Sequence, residues 1–159
     1  MASVEGSPSS LGGSVSHSAI ARGLLALLCG VQGGATLAID MNRTHATNPL
    51  WLRHARFHLV WQATSYALLS VVEIALVLTP GPFRDQRFYL TAILASIPML
   101  SCIAAFVFKR MYGGALSDPN GIPPITITAF NTKLHIDLNL TAEIVALPML
   151  IAIVALFRH

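Results

Sequence analysis

Four apolar segments, residues 19–39, 57–79, 88–108 and 138–157, constrain this chain more than any other feature. Each is close to the ~20 residues that a helix needs to cross a ~30 Å hydrocarbon core. Hydrocarbon offers no partner to a bare peptide group, so such segments must be helical. Four of them on short links predict an all-α fold, an integral membrane four-helix up-down bundle. Composition agrees. Of 159 residues, 54% are hydrophobic and only 11% are charged, against about 25% in soluble domains. That balance excludes an ordinary cytosolic enzyme and a disulfide-rich secreted module.

The rest of the chain reads as punctuation. Residues 1–18 are rich in Ser and Gly and predict a disordered tail, His17 included, ahead of a membrane domain over 19–159. Pro80-Gly81-Pro82 ends the second span. Residues 113–124 form a loop, and Pro98 and Pro148 are expected to kink the third and fourth helices. Ten Lys and Arg are scattered rather than clustered, which argues against a nucleic-acid partner. Their slight excess in the first and third loops places both chain ends outside or in a lumen. Cys29 and Cys102 lack zinc or thiol-relay spacing and read as small apolar groups. Gly30 and Gly34 form a small-xxx-small pair, suited to packing within the bundle or to a homodimer.

Polar residues inside the apolar helices carry the functional signal. At ~100° per residue, His54, His58, Gln62, Ser65, Tyr66 and Glu73 fall within roughly a third of the second helix's circumference. On the fourth segment, Asn131, His135, Asn139 and Glu143 recur every fourth residue. That row predicts a helix starting near Asn131 and running over 131–157. A carboxyl group at the bilayer centre costs about 2.5–3.5 kcal/mol on insertion scales. An interhelical hydrogen bond offsets only ~0.6 kcal/mol of that. Glu73 and Glu143 are therefore the candidate catalytic carboxyls, expected to face each other across one cavity.

His54 and His58 stand at i, i+4, a spacing that can place two imidazoles on one metal, with His135 as the third ligand. The reading set against it has neutral histidines in a proton-transfer network with Glu73. Arg53, Arg56, Trp51 and Trp61 suit anchoring at the membrane boundary, and Arg56 suits an acidic substrate group as well. His45 reads as a solvated loop residue.

The stretch Asn48-Pro49-Leu50-Trp51-Leu52-Arg53-His54-Ala55-Arg56-Phe57-His58 resembles an N-P-x-W-x-x-H-A-x-F-H motif. That motif belongs to a family of small four-helix membrane proteins of unknown function in bacteria and fungi. Tyr112-Gly113-Gly114 and Asp118-Pro119-Asn120-Gly121 look like that family's third loop. The resemblance implies four membrane helices and a role for His54 and His58. In size and helix count the chain is also similar, more remotely, to the membrane oxygenases that act on anthrones in fungal polyketide pathways. Inward-facing Glu and His are similar in chemistry to sterol isomerases of the emopamil-binding type, an analogy only.

The leading expectation is an integral membrane enzyme acting on a lipophilic small molecule by acid–base chemistry. Isomerisation, cyclisation or epoxide opening would fit, in specialised-metabolite biosynthesis. A low-dielectric cavity favours the neutral carboxylic acid, which suits Glu73 or Glu143 as general acid. His58 or His135 then returns the proton as base, and His54, Arg56, Gln62, Tyr66, Asn131 and Asn139 bind substrate. No nucleotide or flavin motif occurs, so cofactor-free chemistry is expected. Two alternatives stay open: a metal-dependent or cofactor-free oxidoreductase, and a carrier or assembly subunit. The expected partners are membrane lipid and the lipophilic substrate. The expected location is the endoplasmic reticulum of a eukaryote or the inner membrane of a bacterium.

Overall fold

The computed structural model describes residues 16–129 and 132–159. The four apolar segments become helices α1 (His17–Asp40), α2 (Arg53–Leu78), α3 (Arg84–Phe108) and α4 (Leu138–Arg158). All four are long and apolar enough to cross a membrane. They form an up-down ring in which α1 packs on α2 and α4, and α3 packs on α2 and α4. One end of the bundle carries the α1–α2 and α3–α4 loops. The opposite end carries the α2–α3 turn and the start of α1.

α1 begins two residues inside the stretch read as a tail. Ser16 caps it by accepting a hydrogen bond from the Ala19 amide, so His17 is helical. Residues 1–15 lie outside the described residues. The α2–α3 turn is sharp because Gly81 (φ 121°) and Phe83 (φ 58°) both take positive φ. α3 and α4 run as continuous helices through Pro98 and Pro148.

The largest departure from expectation lies before α4. Residues 125–129 and 132–136 pair as an antiparallel hairpin, β1 (Ile125–Ala129) and β2 (Thr132–Ile136), with Thr126 opposite His135. The fourth helix starts at Leu138, not near Asn131. Its N-cap is Asp137, whose carboxylate accepts from the Leu140 amide at 2.9 Å. The run Ile125-Thr126-Ile127-Thr128 explains the first strand, since four successive β-branched residues, alternately apolar and polar, suit a strand. The fold is thus helical with one small hairpin in its third loop.

The core joins Leu25, Cys29 and Ala21 of α1, Val77 of α2, Phe88 and Met99 of α3, and Leu150 and Ile153 of α4. Phe88 and Phe157 stack at 3.8 Å between centroids. α1 and α2 approach most closely at Gly33. A Cβ built there would meet the Ser70 Cβ at 2.5 Å and the Tyr66 carbonyl at 3.1 Å. Ser70 Oγ uses the close approach to donate to the Cys29 carbonyl at 2.6 Å. Of the small-xxx-small pair, Gly30 packs against Ile74 of its own chain, whereas Gly34 faces open space.

At the α2–α3 end, Arg22 ties three helices together. Its guanidinium donates to the Arg84 carbonyl at 2.9 Å and to Asp85 Oδ1 at 2.8 Å. It also lies 4.9 Å from the centre of the Phe157 ring. At the other end Asn48 clasps the two long loops. Its Nδ2 donates to the Asn120 carbonyl at 2.6 Å, and its Oδ1 accepts from the Leu50 amide.

Candidate functional site

The buried face of α2 carries Ala63, Ser70, Glu73 and Val77. At ~100° per residue that face is centred about 100° from His58. The polar stripe of α2 is therefore real but offset. Glu73 is fully buried and Tyr66 half-buried, whereas His54, His58, Gln62 and Ser65 are exposed.

Glu73 and Glu143 do not share a site. Glu73 lies five residues before the end of α2, and Glu143 five residues after the start of α4. In an up-down bundle those positions belong to opposite ends, and α2 and α4 are not packed neighbours. Glu73 is 1% exposed and sits beside Cys29 of α1, with its Oε1 lacking a partner among the described residues. It belongs to the tight α1–α2 seam.

Glu143 belongs to a different constellation. Tyr66 of α2 is within electrostatic reach of Glu143 of α4, Cys102 of α3 and Asp40 of α1. Cys102 has Glu143 and Asp137 as its own charged neighbours. Asp40, Tyr66, Cys102 and Glu143 are all half-buried, and each comes from a different helix. Gln62 Nε2 donates to the Tyr66 hydroxyl oxygen at 3.3 Å, which leaves the phenolic proton free to be donated elsewhere. Asp40 lies near His45. Carboxyls and a phenol within electrostatic reach of one another are groups that can donate and accept protons on a bound molecule.

None of His54, His58 and His135 is among the groups that influence Tyr66. His135 is on β2, where its Nδ1 and the Thr126 hydroxyl share a hydrogen bond at 3.0 Å. His54 and His58 pair with each other at 3.1 Å between Nε2 atoms on the outer face of α2. Among the described residues no three His, Cys, Asp or Glu side chains converge as a metal-binding group. The alternative three-histidine metal set is therefore not assembled among the described residues. Asn131 lies outside the described residues, and Asn139 and Ser65 are exposed. Arg56 is half-buried at the start of α2, 160° around the helix from His58 by the helical period.

Sequence reasoning missed Asp40, Cys102 and the loop clasp. Asp40 stood at a helix end and Cys102 in an apolar run, so neither broke a local pattern. Trp51, read as a boundary anchor, packs on Gly121 of the third loop and edge-on to His45 at 5.0 Å. His45 is half-buried and hydrogen-bonded to Thr44 rather than solvated. The signal was available in Asn48 and Trp51, which meet the Asp118-Pro119-Asn120-Gly121 turn.

Compared with family models, curated proteins and solved structures, the chain matches none.

Proposed function

We propose that this chain is a multi-pass integral membrane enzyme that performs acid–base chemistry on a lipophilic small molecule. The observation carrying the proposal is half-buried Tyr66 of α2, which has an ionisable group from each of the other three helices, Glu143, Cys102 and Asp40, within electrostatic reach. The four helices are apolar enough to cross a membrane, and each contributes one half-buried ionisable group to this set. In a membrane such groups are costly to insert and mark a functional site by default.

In this reading Glu143 is the general acid. It protonates an oxygen or an alkene carbon of the substrate, and Asp40 takes a proton from another position. Tyr66, held by Gln62, orients the substrate through its phenolic proton. A net proton relay of this kind performs isomerisation, cyclisation or epoxide opening without a change of oxidation state. Glu73 is assigned to the α1–α2 seam and leaves the catalytic set. His58 and His135, away from the cluster, leave it too. The resemblance of residues 48–58 to small four-helix membrane proteins is in keeping with the membrane assignment.

The test is an untargeted comparison of lipophilic extracts from cells carrying the wild type, no copy, Glu143→Gln, Asp40→Asn or Glu73→Gln. Glu143→Gln and Asp40→Asn should accumulate the same precursor as the deletion. Glu73→Gln should restore the wild-type profile. A wild-type profile from Glu143→Gln overturns the assignment.

A further inference from the structure

The exposed pair His54 and His58 takes no part in the cluster just described, yet its geometry is specific. The two Nε2 atoms face each other at 3.1 Å. The ring planes are nearly perpendicular at 88°, with centroids 4.5 Å apart. Imidazole nitrogens bind late first-row divalent metals at about 2.0–2.1 Å. Two such bonds spanning 3.1 Å subtend about 98° at the metal, between the square-planar and tetrahedral angles.

We propose that His54 and His58 form a two-ligand chelate for a late divalent transition metal on the outer face of α2. The i, i+4 spacing supplies the pair, because residues one turn apart share a helix face. The orientation of His58 is held from both sides. Trp61 stacks on it at 5.8 Å between centroids, 27° between planes, and Phe57 meets it edge-on at 5.9 Å. A ligand ring held by packing loses little freedom when metal binds. Both histidines are exposed and lie in the first six residues of α2, at the loop end, so the cation reaches them without opening the bundle. By the helical period, Arg53 and Arg56 lie at least 100° around the helix from either histidine and do not crowd the cation.

The chelate supplies two nitrogens, and water or an added anion fills the remaining positions. Affinity should follow the order set by imidazole ligands, with Cu²⁺ above Ni²⁺ and Zn²⁺, and with Mg²⁺ and Ca²⁺ not bound. The site does not depend on the acid–base reading, since none of the proposed catalytic groups is a ligand.

The test uses tag-free, full-length protein in detergent, titrated with CuCl₂ and ZnCl₂ by calorimetry. Electron paramagnetic resonance of the Cu²⁺ form counts coordinated nitrogens. One Cu²⁺ per chain with two imidazole nitrogens is expected. His54→Ala and His58→Ala should each weaken binding by at least about tenfold, the loss of one ligand bond. His45→Ala and His135→Ala should leave it unchanged. Circular dichroism of each variant checks that helicity is retained. Equal affinity in wild type and both ligand variants, or a single coordinated nitrogen, overturns the proposal.

Discussion

Glu73 and Glu143 look alike in sequence, yet their surroundings differ. Glu73 is enclosed in the α1–α2 seam beside Cys29, whereas Glu143 is half-buried within electrostatic reach of Tyr66 of α2 and Cys102 of α3. If Glu143 is the proton donor, Glu143→Gln should insert normally and lower turnover by about 10²–10⁴-fold. Glu73→Gln should keep turnover and shift only thermal unfolding. Gly33 offers a second residue-scale test. Gly33→Ala drives a methyl into Ser70 and the Tyr66 carbonyl, an overpacking that should lower stability by about 1–3 kcal/mol. Gly34→Ala meets open space and should change stability by less than about 0.5 kcal/mol. Thermal unfolding in detergent followed by circular dichroism compares the two. Gly33 was not legible as the contact glycine, because small-xxx-small spacing selects Gly30 and Gly34 without knowing which face meets α2.

At the scale of elements, the start of α4 is the instructive case. A row of Asn131, His135, Asn139 and Glu143 at four-residue spacing matches a helix face. The start of that row, Thr132 to Ile136, also alternates like a strand, and the β-branched run Ile125-Thr126-Ile127-Thr128 lies just before it. Strand pairing prevails because the two halves sit either side of a short connection and can exchange ladder hydrogen bonds at once. Asp137 then fixes where the helix begins. Asp137→Ala should cost about 1 kcal/mol through loss of the cap, readable as earlier fraying of α4 by hydrogen exchange. His135→Ala should leave turnover unaltered, since its ring bonds only Thr126 across the hairpin. In the loops, Asn48→Ala removes the bond to Asn120 and should raise exchange in both loops together.

For the whole molecule, the bundle is closed at its two ends by different means. The loop end uses Asn48 and Trp51 against residues 118–121. The opposite end uses Arg22, whose side chain is 4% exposed against 74% for its partner Asp85. Arg22→Ala loses both the charged hydrogen bonds and the aromatic packing, and should destabilise the fold by about 1–3 kcal/mol. Asp85→Asn keeps the packing and should fall less. Membrane insertion is tested at this scale as well. Single cysteines at Thr47 and Ser117, in a Cys29→Ser, Cys102→Ser background, should react with impermeant maleimide from one side. A cysteine at Pro82 should react from the other. Labelling of all three from the same side would rule out an up-down arrangement in the bilayer.

The number of helices and the approximate limits of the first three followed from the sequence alone, because length and apolarity are properties of each segment by itself. A segment's length and apolarity decide whether it can cross, with no reference to its neighbours. The presence of buried carboxyls was legible for the same reason. Which carboxyl meets which partner was not. Helical period places Glu73 and Glu143 on faces, but only the up-down packing puts them at opposite ends and brings Asp40 and Cys102 within electrostatic reach of Tyr66. Those contacts join residues tens of positions apart. Their energies depend on how four rigid helices rotate against one another, and a pattern within one helix carries no information about that rotation.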